Sequence, residues 1–254
     1  MSDGIKSISI IGSGNVAHHL GKAFSGLVKI NAVYSRNKVS AQELADDLFV
    51  FHAENIEDLI PSDIFLLCVS DDEIQSVISK IPDNQSIVYT SGSVGLNELP
   101  SRKNIGVLYP LQTFSKNRSV ELFDVPFFIE ADNEPYAQSI FDLAWHLSRK
   151  VIFANSEDRK NLHLAAVMVN NFSNHIAFLS QEYLKGKSLE WDFLKPLILE
   201  TAKKLQVENP YDAQTGPAMR GDQKTIEKHL SMLNDETKSI YSLLSKSIAQ
   251  HHKK

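Results

Sequence analysis

One cysteine, Cys68, is all the thiol chemistry that 254 residues carry. That count excludes an intrachain disulfide and a multi-cysteine metal site. Cys68 lies in the apolar run 64–69, a setting for a buried structural thiol rather than a reactive one. No apolar stretch approaches the ~20 residues that a membrane helix needs. Nor is there a clustered basic face of the kind that grips nucleic acid: net charge is -5 at pH 7, and the two signs are mixed along the chain. The short basic end His251, His252, Lys253 and Lys254 reads as a solvated helix end. Repeats and low-complexity segments are missing, and residues 1–6 lack a signal-peptide layout. At 43% hydrophobic and 22% charged, the rest has the composition of an ordinary globular protein. The expectation is a cytoplasmic protein with neither nucleic acid nor membrane as a partner.

What is present is an alternation. Over the first ~150 residues, short β-rich runs alternate with helical segments, as in βαβ units on a parallel sheet. Strands are expected at 7–11, 30–34, 49–51, 64–69, 87–89, 105–108, 126–129 and 151–153. Several are nearly continuous apolar runs, which suits strands buried on both faces. Helices are expected at 15–25, 40–47, 71–81 and 134–147, the third opening on Asp71 and Asp72, where the helix dipole favours negative charge. From residue 156 onward the pattern is helical only, at 157–185, 191–206, 225–233 and 235–251, with Ser156 a candidate N-cap. These observations predict an α/β domain over 1–154 and an all-α domain over 155–254.

The first strand runs into Gly12-Ser13-Gly14-Asn15-Val16-Ala17, and a helix follows. G-x-G-x-x-A between strand and helix is a form of the dinucleotide fingerprint. Gly12 permits the tight turn, Gly14 lets backbone N–H groups approach a pyrophosphate, and Ala17 lets the helix sit close to the strand. The phosphates would lie at the positive helix N-terminus. In an NAD site the second strand ends in Asp or Glu, which bonds the ribose 2′-hydroxyl. Here it ends Tyr34-Ser35-Arg36-Asn37-Lys38, without an acid. Ser35 can donate to a 2′-phosphate, Arg36 can stack on adenine and pair with phosphate, and Lys38 adds charge, so NADP(H) is the expected cofactor. Ser70, Asp71 and Asp72 follow the strand that ends at Val69, and Thr90, Ser91, Gly92 and Ser93 follow the next. Both loops stand where α/β sheets place ligands. Val69, Ser70 and Ser91 are candidate cofactor contacts, although hydroxyls there can equally cap the loops.

With Gly12–Ala17, the segments Cys68-Val69-Ser70-Asp71-Asp72, Tyr89-Thr90-Ser91-Gly92-Ser93, Tyr109-Pro110-Leu111-Gln112-Thr113-Phe114 and Thr215-Gly216-Pro217-Ala218-Met219-Arg220-Gly221-Asp222 carry a resemblance. The chain is similar to the superfamily of β-hydroxyacid and 6-phosphogluconate dehydrogenases, pyrroline-5-carboxylate reductases and ketopantoate reductases. More narrowly, it resembles a family of Rossmann-like NADP oxidoreductases with a distinctive helical C-terminal domain. The T-G-P-x-x-R-G-D segment is the most specific of these, since no helix or turn rule calls for it. The resemblance implies a Rossmann-type first domain, a dinucleotide site and a homodimer formed through the helical domain.

On the long helix from 157, His163, Asn170 and Asn174 fall within roughly 40° of one another at 3.6 residues per turn. That narrow polar stripe either bonds neighbouring helices in a dimer core or faces a substrate cleft. The β-hydroxyacid dehydrogenases that the chain resembles carry a catalytic lysine a turn before an Asn pair on this helix. Here Asn170-Asn171 is preceded by Ala165-Ala166-Val167-Met168, without a lysine, and Lys160 lies too far back. His163 is the candidate acid/base in its place, with Asn170 polarising an oxygen. Arg220 either grips an anionic substrate or bonds locally, Asp222 can cap the following helix, and His229 is structural. The expectation is hydride transfer between NADP(H) and a small carbonyl, imine or hydroxy-acid substrate in the interdomain cleft. The alternative is a non-catalytic NADP(H)-binding sensor, which the absent lysine favours.

Overall fold

The computed structural model describes residues 4–252. Lys253 and Lys254 of the basic end, and the first three residues, lie outside the described residues. Eight strands form one sheet: β1 (Ser7–Ile11), β2 (Lys29–Tyr34), β3 (Phe51–His52), β4 (Ile64–Leu67), β5 (Ile87–Tyr89), β6 (Ile105–Pro110), β7 (Phe127–Ala131) and β8 (Val151–Phe153). Their order is β3-β2-β1-β4-β5-β6-β7-β8. Neighbours run parallel except β6 and β7, which are antiparallel. This departs from the all-parallel expectation for a local reason. No helix fills the connection from Pro110 to Phe127, so the chain has no crossover with which to return to the other end of the sheet.

The strands are the apolar runs read from the sequence, and period-two alternation divides them between two cores. Ile8, Ile10, Val33, Leu66, Val88 and Leu108 pack with α1 (Asn15–Ser25), α2 (Lys38–Leu48) and α4 (Glu134–Trp145) on one face. Ile11, Phe65, Leu67, Tyr89 and Val107 pack with α3 (Asp71–Ile78) on the other. Chain order reverses at β1, flanked by β2 on one side and β4 on the other, which makes a topological switch point.

The backbone stays helical from α5 (Ser156–Ala166) through a π-helical turn at Val167–Phe172 to α6 (Ser173–Leu184). The remaining helices are α7 (Lys195–Val207), α8 (Pro217–Arg220), α9 (Gln223–Ser231) and α10 (Asp235–His251). The cap of α5 is Asn155 rather than Ser156: the Asn155 side chain accepts from the Asp158 N–H at 2.9 Å. Ser156 instead donates to the Glu130 carboxylate at 2.7 Å and accepts from the Leu96 N–H at 3.1 Å. Asp222 caps α9 through the Thr225 N–H, and His229 reaches the Tyr241 hydroxyl at 2.8 Å, tying α9 to α10. At the basic end His252 stacks on Tyr211 with ring centroids 4.3 Å apart. By compactness the chain divides into Met1–Asn170 and Asn171–Lys254, whereas strands give way to helices after Phe153. Among the described residues no helix is long and apolar enough to cross a membrane.

Candidate functional site

Gly12 leaves β1 at φ 118°, a left-handed conformation that a side chain resists. A Cβ there would also meet the Cys68 carbonyl oxygen at 2.2 Å, so glycine lets the turn pass against the end of β4. Cys68 is buried beside it, and burial pushes its thiol up to about 12. Gly14 is the N-cap of α1 and faces open space. No side chain caps α1 and no acid lies in its first turn. By contrast, side chains of Asn37, Asn133, Asn155, Asp222 and Asn234 cap α2, α4, α5, α9 and α10. The first N–H groups of α1 are thus left for an anion.

A groove of about 420 Å³ runs from this turn across the switch point. It gathers Gly12, Ser13, Gly14, Ser35, Arg36, Val69 and Ser70 from the candidate cofactor contacts. Asn15 and Val16 open α1 alongside. Asn15 donates its amide to the Phe114 carbonyl at 2.9 Å, and Val16 packs on the core. Ser91 does not line the groove. Its buried hydroxyl accepts from the Ser93 and Val94 N–H groups at 3.1 and 3.0 Å, closing the turn after β5. Lys38 is paired with Glu54.

Two charged groove residues escaped the sequence reading. Glu73, on the first turn of α3, forms an ion pair with Arg36 at 2.9 Å, and Lys116 reaches the groove from the loop after β6. Glu73 carried a visible signal, being an acid just past a strand's C-terminal end. Lys116 carried none.

A second cluster forms around His163 on α5. Its Nδ1 lies 2.9 Å from the Tyr109 hydroxyl at the end of β6. Burial raises the Tyr109 phenol above its ordinary range, so the hydroxyl keeps its proton and can donate to an unprotonated Nδ1. Gly92 makes room for the pair: a Cβ there would come within 2.5 Å of the Tyr109 ring and 2.7 Å of His163 Nδ1. One turn before His163, Arg159 is fully buried. It donates to the Ser91 and Val94 carbonyls at 2.9 and 2.8 Å and to the Glu130 carboxylate at 2.6 Å. Ser93, in the same turn, donates to Asp71. The arrangement is a histidine held by a neutral phenol, beside a loop bolted down by a buried ion pair.

The polar stripe expected on this helix is not in phase. Bonding from i to i+5 over Val167–Phe172 loosens the 3.6-residue spacing that aligned His163 with Asn170 and Asn174. Asn170 ends the first compact unit, while Arg220 belongs to the second, exposed at the end of α8. The Asp222 carboxyl near Arg220 is held below its ordinary range, chiefly by hydrogen bonds from Thr225 and less by Arg220.

Residues 7–91 match the family model described as NADP oxidoreductase coenzyme F420-dependent. Residues 125–248 match a domain of unknown function (DUF2520). The fold is similar to a Bacteroides fragilis protein named as a putative NADP oxidoreductase, at 38% identity and TM-score 0.89, covering 97% of this chain and 98% of that one. A Thermotoga maritima protein is similar at 20% identity and TM-score 0.77, covering 97% and 100%. A reductive aminase from Aspergillus terreus, in complex with NADPH and ethyl-5-oxohexanoate, shares the fold at 12% identity and TM-score 0.66, covering 97% and 94%. No curated protein matches the chain.

Proposed function

Because this chain belongs to the family of that Bacteroides fragilis protein, we propose that it transfers hydride between NADP(H) and a small carbonyl, imine or hydroxy-acid substrate. The observation that carries the reading is the groove itself. An uncapped helix N-terminus and a cationic strand end without a backbone-linked acid face one cavity. The residues fit the cofactor: the Gly12–Gly14 turn and α1 would hold the pyrophosphate, and Ser35 and Arg36 the 2′-phosphate. Bound there, NADP(H) would supply the hydride.

In this reading the chain's own residues do the rest. His163 moves the proton at Nε2, its Nδ1 being occupied by Tyr109. Arg159 and Glu130 hold the Ser91–Val94 turn still beside it, Asn170 polarises a substrate oxygen, and Arg220 takes a substrate carboxylate. The NADP-binding role is assigned to 1–154 and the substrate and dimer role to 155–254. A reductive aminase and this chain share only a fold, yet a carbonyl or imine is the natural first substrate panel.

The helical unit supports a homodimer. Among the described residues of α6, α7 and α10 none is buried, although each carries apolar residues at helical spacing. The reading also keeps the protein in the cytoplasm, where its single buried thiol stays reduced. A non-catalytic NADP(H) sensor is the second reading, favoured by the absence of a lysine from Ala165-Ala166-Val167-Met168. The deciding experiment is NADPH oxidation against a carbonyl and imine panel. Turnover with at least one member, suppressed in His163→Ala and Arg220→Ala, supports the enzyme. NADPH binding with no turnover across the panel supports the sensor.

A further inference from the structure

Beside α1 lies a second groove, of about 570 Å³, built by α1, the loop after β6 and the end of α4. It is lined by His18, His19, Lys22, Lys116, Arg118 and His146, with no carboxylate in its wall. Asp47, outside the lining, pairs with Lys22 at 3.1 Å and stands 3.7 Å from His18. Among the described residues, neither Lys116 nor Arg118 has a carboxylate partner in an ion pair. A chain of net charge -5 has therefore gathered an uncompensated Lys116–Arg118 pair, a second lysine and three imidazoles into one concavity.

The loop that brings Lys116 and Arg118 is fixed in place. Asn15 bonds the Phe114 carbonyl, His19 Nε2 lies 3.0 Å from the Ser115 carbonyl oxygen, and the His19 and Phe114 rings stack at 4.6 Å. These contacts hold like charges together against their repulsion. The His18 imidazole reports that field: burial first, then Lys22, pushes it below its ordinary value, with Lys116 and His19 adding to the shift. Asp47 opposes it and does not prevail.

We infer that this groove is a second anion-binding site, which takes a small di- or trianion carrying phosphate or carboxylate groups. Its volume falls in the range of small-ligand clefts. An extended polyanion would run out of the groove onto an acidic molecule, whereas a compact one can set its charge on the cations and imidazoles and its body against Leu27, Val120 and Leu122. Lys116 lines this groove and the nucleotide groove alike, so the two sites are neighbours across one side chain.

The two grooves can be told apart by their histidines, because no histidine lines the nucleotide groove. The test is titration of the full chain with inorganic pyrophosphate, and separately with citrate. It is run with and without saturating NADPH, following histidine ring resonances by NMR and heat by calorimetry. With NADPH saturating, the expected result is one ion per chain from at least one of the two titrants, with His18, His19 and His146 shifting together whether or not NADPH is present. Arg118→Gln and His146→Gln should each weaken binding at least fivefold, and Lys80→Gln, an exposed control, should leave it unchanged. Whichever titrant binds identifies the head group. The inference is overturned if neither ion moves those resonances at millimolar concentration. It is also overturned if Lys80→Gln weakens binding as much as Arg118→Gln. The ring shifts do not depend on NADPH, so they test this groove even where the cofactor reading fails.

Discussion

The Tyr109 hydroxyl meets Nδ1 of His163 at 2.9 Å, across 54 residues of sequence, over a glycine that has no room for a methyl group. A neutral phenol on Nδ1 fixes the ring's orientation and leaves Nε2 for the proton exchange proposed for His163. Tyr109→Phe should therefore lower kcat about ten- to hundredfold while leaving the NADPH Kd unchanged, a general acid/base effect without a binding effect. Steady-state kinetics and calorimetry check it. A rise in KM alone would assign Tyr109 to packing. Gly92→Ala, which drives a Cβ into both rings, should reproduce the kinetic loss and cost about 1–3 kcal/mol of stability.

Arg36 reaches Glu73 across the nucleotide groove at 2.9 Å, so a 2′-phosphate arriving there competes with a carboxylate for the same guanidinium. Arg36→Ala should weaken NADPH binding far more than NADH binding. Glu73→Gln should tighten NADPH several-fold, on the order of 1 kcal/mol for removing one like charge at a partly exposed site, and leave NADH nearly unmoved. Parallel titrations at low salt measure both. Loss of NADPH affinity in Glu73→Gln would mean that Glu73 positions Arg36 instead of competing for it.

Arg159 is fully buried, and Glu130 is its charged partner. Glu130→Ala would strand a buried guanidinium, and such losses cost about 3–5 kcal/mol. Arg159→Met should be milder, because it removes the charge along with its demand for a partner. Denaturant melts of the two variants should fall in that order. The reverse order would place the stabilising effect in the guanidinium's bonds to the Ser91 and Val94 carbonyls rather than in the ion pair.

How far the sequence spoke depended on how local the physics was. The turn Gly12–Ala17 was legible because glycine conformational freedom and helix-end electrostatics act within six residues. The strands were legible from apolar runs, although Phe49 belongs to the left-handed cap of α2 and β3 is only Phe51–His52. Ser35 and Arg36 were legible as candidate cofactor contacts from their place at a strand end, but Glu73 and Lys116 share their groove only after the sheet is assembled. Tyr109 entered only as part of a resembling segment, without a role, and Arg159 was not singled out at all, since a buried phenol or guanidinium has no local signature. The polar stripe misled for a different reason: it assumed one helical period through Val167–Phe172, where the bonding is π. Asn155 took the cap from Ser156 because Ser156 was committed to Glu130.

Cys68 gives a prediction in pH. Its folded thiol is pushed up from 9.0 to about 12 by burial, so both states are protonated below pH 9 and the group does not alter stability there. Above pH 9 the unfolded thiol ionises while the folded one does not. Stability should then fall by about 1.4 kcal/mol per pH unit from this group, until the folded thiol also titrates near 12. Cys68→Ala should flatten that part of the stability profile. Alkylation by iodoacetamide at pH 9 should be slow in native protein and fast in denaturant, as mass spectrometry would show. Rapid native labelling would contradict the burial.

The helical unit has too little interior to stand in water alone. Among its described residues only Ala218 and Ile226 are buried apolar side chains, while Leu197, Leu243 and Val207 are 63%, 70% and 84% exposed. An apolar groove between α6 and α10, lined by Ile176, Leu179, Tyr183, Ile240 and Leu244, stays open. Leaving so many large apolar residues in water forgoes roughly 1.5–3 kcal/mol for each side chain that could be buried. A second copy offers the same apolar faces and can cover both sets at once with twofold symmetry. Light scattering at micromolar concentration should therefore give twice 28.5 kDa, and Leu197→Glu with Leu243→Glu should shift the protein toward monomer and lower its melting temperature. A wild-type mass of 28.5 kDa would leave these faces to a different partner.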